Sequence, residues 1–184
     1  MGVILASQSP RRKELMEKLN ISFTVRVADI DETADPTLSP REDVARLSRL
    51  KAEAIPHEED DIVIAADTIV VYGHRILGKP KDRQEAKQML TMLSGNCHQV
   101  MTGLTVLRGD KRITHTEITD VYFRGLTEAE IDAYVASGDC DDKAGSYGIQ
   151  SGAAPFVEKI FGDYYNVMGL PVCRLSLILK EFPL

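Results

Sequence analysis

The sequence predicts a mixed α/β fold in which helices cover one twisted sheet. Several short apolar runs have the length of buried strands, and capped segments with helical periodicity separate some of them. Other predicted strands follow one another across tight turns, as in antiparallel hairpins. Strand–helix units combined with hairpins indicate a mixed sheet covered by helices. The chain of 184 residues is long enough to bury a substantial core as one domain, 1–184.

The N-terminal part alternates strands with helices. Ser9 followed by Pro10 is typical of a helix start, and Ser39 with Glu42 forms a capping box. The most apolar stretch of the chain lies in this part and has the character of a central strand buried on both faces. The predicted elements are a strand at Val3–Leu5, a helix from Pro10, a strand at Phe23–Val27, a helix at Pro40–Ala54 and the central strand at Ile62–Val71.

The C-terminal part combines long strands with shorter helices. Its predicted elements are a turn at Gly73–His74 with a short strand after it, a helix capped by Asp82 and Glu85, long strands at His98–Leu107 and Ile113–Phe123, a helix capped by Thr127 and Glu130 that ends near Gly138, a Gly-rich loop at Asp141–Ala154, a hairpin around Gly162–Asp163 and a final helix opened by Pro171.

The composition excludes some partners. A net charge of -6 argues against a nucleic-acid-binding protein, which would normally carry a basic stripe. Aromatic residues make up 6% of the chain and tryptophan is absent, so a base-stacking platform is not expected. No apolar run is long enough to span a membrane, and no signal-peptide pattern is found. Cys97, Cys140 and Cys173 are widely spaced, as expected for reduced thiols, and we therefore predict a soluble, cytoplasmic protein.

The start of the first helix is rich in cations. Arg11, Arg12 and Lys13 fall in its first turn, beside unsatisfied N–H groups and the positive end of the helix dipole. A strand, a tight turn and an arginine-lined helix start together describe a phosphate receptor. A solvated basic turn with screened charges explains the same residues, and these residues alone do not separate the two interpretations.

Asp67 interrupts the central apolar strand. A buried carboxylate is costly unless it is paired, protonated or bound to metal. The strand could instead end at Asp67, but Ile69 to Val71 continue the apolar run and argue against that. We therefore favour a functional carboxylate.

The other candidates are weaker when taken singly. Lys51 lies on the apolar face of its helix, Glu32 is one of several acids in a polar loop, and Gln150 carries an amide that can read a base edge. Lys79 ends a match to the P-loop pattern, but Pro80 follows it and supplies neither the required hydroxyl nor a backbone N–H. Lys79 can still contact phosphate as a point charge.

Four motifs together resemble one family. The sequence contains S-x-S-P-R-R near the N-terminus, then A-D-T, G-K-P and D-K-A-G-x-Y-x-I-Q, in that order and across essentially the whole chain. This combination resembles the Maf family of nucleoside triphosphate pyrophosphatases. The resemblance implies a fold like that of the inosine triphosphate pyrophosphatases, with two lobes around a cleft. It also implies hydrolysis of the α–β phosphoanhydride with a divalent metal, Mg or Mn, in a house-cleaning role.

The resemblance assigns roles residue by residue. Asp67 matches the proton acceptor of the family, and Arg12, Thr68 and Gln150 match positions like the specificity set of the dTTP/UTP branch. Other matched active-site positions are Ser9, Glu32, Lys51 and Lys79, and Arg11 remains a general phosphate candidate. Glu32 with Asp67 would hold the metal, since magnesium takes oxygen ligands. The resemblance is also compatible with a homodimer, which no residue pattern shows.

Two alternatives stay open at this point. One is a nucleotide-binding regulator of cell division without relevant turnover, suggested by the family's association with septum formation. The other is a pyrophosphatase of the same fold for purine or modified nucleotides, which would differ only in its base pocket. A carboxylate inside the central strand is poorly explained by the first alternative.

Overall fold

A computed structural model gives the fold of residues 2–27 and 29–182, and the predicted domain 1–184 extends at both ends beyond them. The fold is mixed α/β, as predicted. The elements are β1 (Val3–Ala6), α1 (Pro10–Glu17), β2 (Thr24–Arg26), α2 (Pro40–Glu53), β3 (Ile62–Tyr72), β4 (Arg75–Leu77), α3 (Arg83–Leu93), β5 (Cys97–Arg108), β6 (Lys111–Phe123), α4 (Glu128–Ser137), β7 (Val157–Phe161), α5 (Tyr164–Met168) and α6 (Val172–Leu179).

One sheet of seven strands has the order β2-β1-β3-β5-β6-β7, and β4 pairs with β3. Strand β1 is parallel to both neighbours, with Leu5 opposite Val25 of β2 and Ile64 of β3. Helix α1 connects β1 to β2, and α2 then connects β2 to β3 on the other side of β1. The strand order therefore reverses between β1 and β3. Ligands of such sheets bind outside the carboxyl ends of the strands at the point of reversal.

The chain divides into two compact units. The first unit contains Met1–Thr68, Thr102–Glu117 and Tyr165–Leu184, and the second contains Ile69–Met101 and Ile118–Tyr164. The point of reversal between β1 and β3 belongs to the first unit.

Helix α2 packs unusually close to β5 in the first unit. A Cβ atom at Gly103 would lie 2.2 Å from the carbonyl oxygen of Val44, so only glycine allows this approach. Nearby, the buried hydroxyls of Ser48 and Thr105 lie 2.8 Å apart. Because α2 is held this closely, the backbone positions from which its side chains reach the sheet are fixed. Lys51 is one of these side chains, since its Nζ contacts Asp67 of β3.

The second unit has an aromatic core. Phe123 contacts Tyr147 edge to face, with ring centroids 4.8 Å apart, and also contacts Phe156. His98 packs on the same rings, and its Nε2 lies 2.7 Å from the hydroxyl oxygen of Tyr147. Burial lowers the pKa of His98 from 6.5 to about 4, so this histidine is neutral at physiological pH.

The predicted helix starts are confirmed at α2 and α4. Both have complete capping boxes, Ser39 with Glu42 and Thr127 with Glu130, and Gly138 ends α4 in the left-handed conformation. No helix of the described ranges is long and apolar enough to cross a bilayer.

The predicted hairpin around Gly162–Asp163 is wrong. Its first strand exists as β7, but β7 pairs with β6, where Val121 lies opposite Ile160. The residues that follow form α5 instead of a returning strand. Their aromatic and β-branched side chains favour a strand locally, but the helical turn buries Asn166 and Met168. Burial in the fold thus overrides the local preference.

Candidate functional site

The candidate site lies where β1 and β3 end their parallel pairing. The pairing runs to Leu5 opposite Ile64, and β1 then continues into the turn before α1. Strand β3 extends further and carries Asp67 and Thr68 beyond the last of these pairs. Asp67 therefore lies inside a strand that runs to Tyr72, and not at its end. The edge of the sheet at which the pairing of β1 with β3 ends is the edge at which an open α/β sheet binds its ligand.

One lysine holds two carboxylates at this edge. Lys51 Nζ donates to Asp67 Oδ1 at 2.6 Å and to Glu32 Oε2 at 2.9 Å. Only 11% of the Asp67 side chain is exposed, whereas 59% of the Glu32 side chain is exposed. Lys51 supplies the opposite charge that a carboxylate inside an apolar strand requires. This pairing explains why Lys51 lies on the apolar face of α2.

Arg12 is held on three sides. Its Nε donates to the carbonyl oxygen of Gly169 at 2.8 Å, its Nη2 to Thr68 Oγ1 at 3.0 Å and its Nη1 to Ser7 Oγ at 3.4 Å. Burial lowers the pKa of the Arg12 guanidinium, while the negative charge of Asp67 opposes that shift. Because the ordinary pKa of arginine is far above neutrality, Arg12 stays charged. It is a positioned cation and not a solvated one.

Gly169 gives the turn after α5 its shape. Its backbone φ of +114° is a value that residues with a side chain rarely adopt. A Cβ atom at this position would lie 3.5 Å from both Arg12 Nε and Thr68 Oγ1. Its N–H donates to the carbonyl oxygens of Tyr165 and Asn166. The turn therefore presents a carbonyl to Arg12 at close range.

The start of α1 is electropositive. Ser9 is the N-cap residue, but its side chain makes no capping hydrogen bond, and the first turn contains no acidic residue. Arg11 and Arg12 are half-buried there, and Lys13 is exposed. The backbone N–H groups, the helix dipole and these cations together suit a phosphate group.

Two predicted site residues lie in the second unit. Lys79 and Gln150 are both exposed. The carbonyl oxygen of Gly78 accepts a hydrogen bond from the N–H of Gly145 at 3.0 Å, which joins the G-K-P segment to the D-K-A-G segment. The two motifs of this unit are therefore neighbours.

Asp139 supports the turn that carries Gln150. Asp139 Oδ2 accepts hydrogen bonds from Ser151 Oγ at 2.7 Å, from the Tyr134 hydroxyl at 2.8 Å and from the Gly152 N–H at 3.2 Å. The two residues after Gln150 are thus held by Asp139, and Gly148 before it donates its N–H to the Tyr134 hydroxyl at 3.1 Å. Gln150 itself is exposed.

The structure brings most of the predicted residues of the first unit together. Lys51 joins Glu32 to Asp67, and Arg12 bonds to Thr68, the next residue of the strand. Ser9 and Arg11 lie at the start of the helix that carries Arg12, whereas Lys79 and Gln150 belong to the second unit.

The sequence interpretation missed the residues behind Arg12 and Thr68. Thr102 Oγ1 lies 3.0 Å from Thr68 Oγ1, and the Gly169 carbonyl fixes Arg12. Thr102 offered one signal, because it is a polar residue within an apolar strand. Gly169 offered none beyond being a glycine near a predicted helix start.

The carboxylates fit a divalent cation. The described part of the chain contains no cluster of three or more His, Cys, Asp or Glu side chains able to hold a metal. Asp67 and Glu32 nevertheless converge on one point, since both reach the same ammonium nitrogen. Magnesium in nucleotide sites takes one or two carboxylates and completes its shell with phosphate oxygens and water. Two convergent carboxylates meet that requirement.

Comparison with known proteins gives consistent matches. The family described as Maf-like protein matches residues 2–182. A protein of Bacillus cytotoxicus named dTTP/UTP pyrophosphatase is 52% identical over 180 residues, covering 97% of this chain and 94% of that protein. A Bacillus anthracis protein of the same name is 51% identical over 181 residues, with 98% and 95% covered.

A solved structure shares the fold. The HAM1 protein from Coxiella burnetii superposes with a TM-score of 0.52 at 16% identity, covering 97% of this chain and 98% of that one. At this identity the likeness concerns the fold alone, and it agrees with the predicted mixed α/β architecture.

Proposed function

The chain belongs to the family of Maf-like proteins, and we propose that it hydrolyses dTTP and UTP to the nucleoside monophosphate and pyrophosphate in a house-cleaning role. Two relatives about half identical over nearly the whole chain bear the name of this activity. The observation that carries the proposal is the pairing of Asp67 with Lys51 at the same sheet edge as the cationic start of α1. A base and a phosphate receptor are what this hydrolysis requires.

Asp67 acts as the proton acceptor. The water oxygen attacks a phosphorus atom of the α–β anhydride, its proton passes to the Asp67 carboxylate, and the anhydride bond breaks to release pyrophosphate. Lys51 keeps the carboxylate in place and compensates its charge. The buried position of Asp67 limits competing hydrogen bonds from solvent.

The cations hold the triphosphate. Ser9 and Arg11 receive phosphate oxygens at the start of α1, and Lys51 and Lys79 add positive charge. These groups stabilise the negative charge that develops on the leaving pyrophosphate. In this proposal residues 1–184 act as one catalytic domain. Lys79 is assigned to phosphate binding by its place in the G-K-P motif.

Arg12, Thr68 and Gln150 select the base. Each offers hydrogen-bonding groups that suit the edge of a pyrimidine ring. Uracil and thymine differ by one methyl group, which a pocket discriminates only modestly, so acceptance of both is expected.

A divalent cation, Mg or Mn, belongs to the proposal. The family is generally dependent on such a metal. Glu32 and Asp67 would hold it, and it would supply positive charge to the phosphates when bound. A regulator of cell division without turnover is not favoured, since the close relatives are named as pyrophosphatases. A cytoplasmic location and a homodimer stay predictions.

A nucleotide panel tests the proposed function. The purified protein is incubated with dTTP, UTP, CTP, GTP or ITP and with Mg or Mn, and the products are separated. We expect pyrophosphate and a monophosphate, with kcat/KM for dTTP and UTP at least about tenfold above the others. Removing the metal with a chelator should abolish the reaction. Release of single phosphate groups, or equal rates for all five nucleotides, would contradict the proposal.

A further inference from the structure

Two threonine hydroxyls connect the Arg12 guanidinium to a backbone carbonyl. Arg12 Nη2 lies 3.0 Å from Thr68 Oγ1, which lies 3.0 Å from Thr102 Oγ1. Thr102 Oγ1 in turn lies 3.1 Å from the carbonyl oxygen of Asn166. Thr102 is fully buried, whereas Thr68 is half-buried. Of the two threonines, only Thr68 can therefore contact a ligand.

The two ends of this chain of hydrogen bonds fix its direction. A guanidinium has only donors and a carbonyl has only acceptors, so Thr68 accepts from Arg12 and Thr102 donates to Asn166. A hydroxyl has one proton. Because Thr102 gives its proton to the carbonyl, the proton of Thr68 points to Thr102. The charge of Arg12 favours the same direction, and each bond polarises the next.

Both ends are attached to the same turn. The Gly169 carbonyl accepts from Arg12 Nε at 2.8 Å, and the Gly169 N–H donates to the Asn166 carbonyl at 3.0 Å. The first donor and the last acceptor are therefore linked through the short segment from Asn166 to Gly169, in which Asn166, Met168 and Gly169 are buried.

This arrangement commits the proton of Thr68. Its oxygen accepts from Arg12 and donates to Thr102, which leaves one lone pair for a ligand. Toward a ligand, Thr68 is then an acceptor only. Uracil and thymine carry an N–H at ring position N3, whereas cytosine carries a lone pair there. A hydroxyl fixed as an acceptor suits the first two bases and leaves the third unsatisfied.

We propose that Thr102 is a positioning residue that holds the Thr68 hydroxyl as an acceptor and thereby makes the site reject cytosine nucleotides. The proposal rests on the proposed function, because it assumes that Thr68 faces the pyrimidine edge. It assigns specificity to a buried residue that touches no substrate.

The test compares Thr102→Val, which removes the hydroxyl, with Thr102→Ser, which keeps it. Calorimetry measures binding of the non-hydrolysable α,β-methylene analogues of UTP and CTP, so turnover is not required. In Thr102→Val the Thr68 proton becomes available to N3 of cytosine. We expect the preference for the UTP analogue to fall by about tenfold, with uridine affinity changed by less than about threefold. Thr102→Ser should retain the preference of the natural protein.

Each other outcome overturns the proposal. An unchanged preference in a folded Thr102→Val variant, or an equal loss for both analogues, would leave Thr102 with a purely structural role. So would a serine variant that behaves like valine, or a natural protein without preference for uridine. Thermal unfolding checks the fold, and Thr102→Ala replaces valine if that variant does not fold. Failure of the proposed function is distinguished separately, by the absence of pyrophosphate release from UTP in the natural protein.

Discussion

Replacing Lys51 by methionine would leave Asp67 inside β3 without its counter-charge. Lys51 Nζ lies 2.6 Å from Asp67 Oδ1, and the exposed fractions of the two side chains are 16% and 11%. At an effective dielectric constant of about 20, unit charges about 3 Å apart attract by about 5 kcal/mol, and desolvation offsets roughly half of this. The expected coupling free energy between Lys51 and Asp67 is therefore about 2–3 kcal/mol. Glu32 adds little, since its side chain is 59% exposed.

A double-mutant cycle measures this coupling. Urea unfolding of the natural protein, Lys51→Met, Asp67→Asn and the double variant gives the four free energies of unfolding. Lys87 is a matched control, because its Nζ also bridges two carboxylates, Glu128 at 2.8 Å and Asp132 at 2.7 Å, but in an exposed position. Lys87→Met should leave the free energy of unfolding nearly unchanged. A coupling between Lys51 and Asp67 below about 0.5 kcal/mol would refute the reasoning.

Two further predictions concern other parts of the molecule. Arg12→Ala should change the ratio of kcat/KM between UTP and GTP by about tenfold, because it removes the guanidinium that is fixed beside Thr68. The control variant Arg11→Ala should lower kcat/KM for all nucleotides alike. Equal losses for UTP and GTP in Arg12→Ala would contradict its assigned role. The free energy of unfolding should fall by about 3 kcal/mol between pH 6.5 and pH 4 through His98, whose pKa burial lowers from 6.5 to about 4. The unfolded chain binds this proton first, so the stability is fully present above pH 6.5 and is lost as the pH falls. His98→Gln should flatten the profile in urea titrations at several pH values, and an unchanged slope would speak against a neutral His98.

Local signals in the sequence were sufficient for much of the fold. The capping boxes at Ser39 and Thr127 located two helices, because a cap depends only on residues three positions apart. Asp67 was detectable for a similar reason, since a carboxylate in an apolar strand contradicts its immediate neighbours. Such features need no knowledge of the tertiary structure.

The remaining features depend on contacts between distant parts of the chain. The contact of Lys51 with Glu32 joins α2 to an irregular loop. Such a loop has no hydrophobic periodicity, so its course could not be predicted from the sequence. The role of Gly169 arises only because the turn after α5 comes to lie against Arg12, far away in the sequence. The segment after Gly162 looked like a strand because its aromatic and β-branched residues favour that conformation locally. In the folded chain it forms a helical turn that buries Asn166, and this burial outweighs the local preference.

Pyrophosphate release by Asp67→Asn, compared with Asp61→Asn, tests the central claim most directly. Taken as whole residues, both aspartates are 8% exposed. Asp61 lies just before the first residue of β3 and accepts hydrogen bonds from the N–H groups of Gly2 and Glu58. With dTTP or UTP and Mg, Asp67→Asn should lower kcat by about 10²- to 10⁴-fold, the range expected for loss of a general base. Asp61→Asn should keep the rate of the natural protein within a few-fold. Pyrophosphate release that survives in Asp67→Asn at the natural rate would contradict the assignment of Asp67 as the proton acceptor.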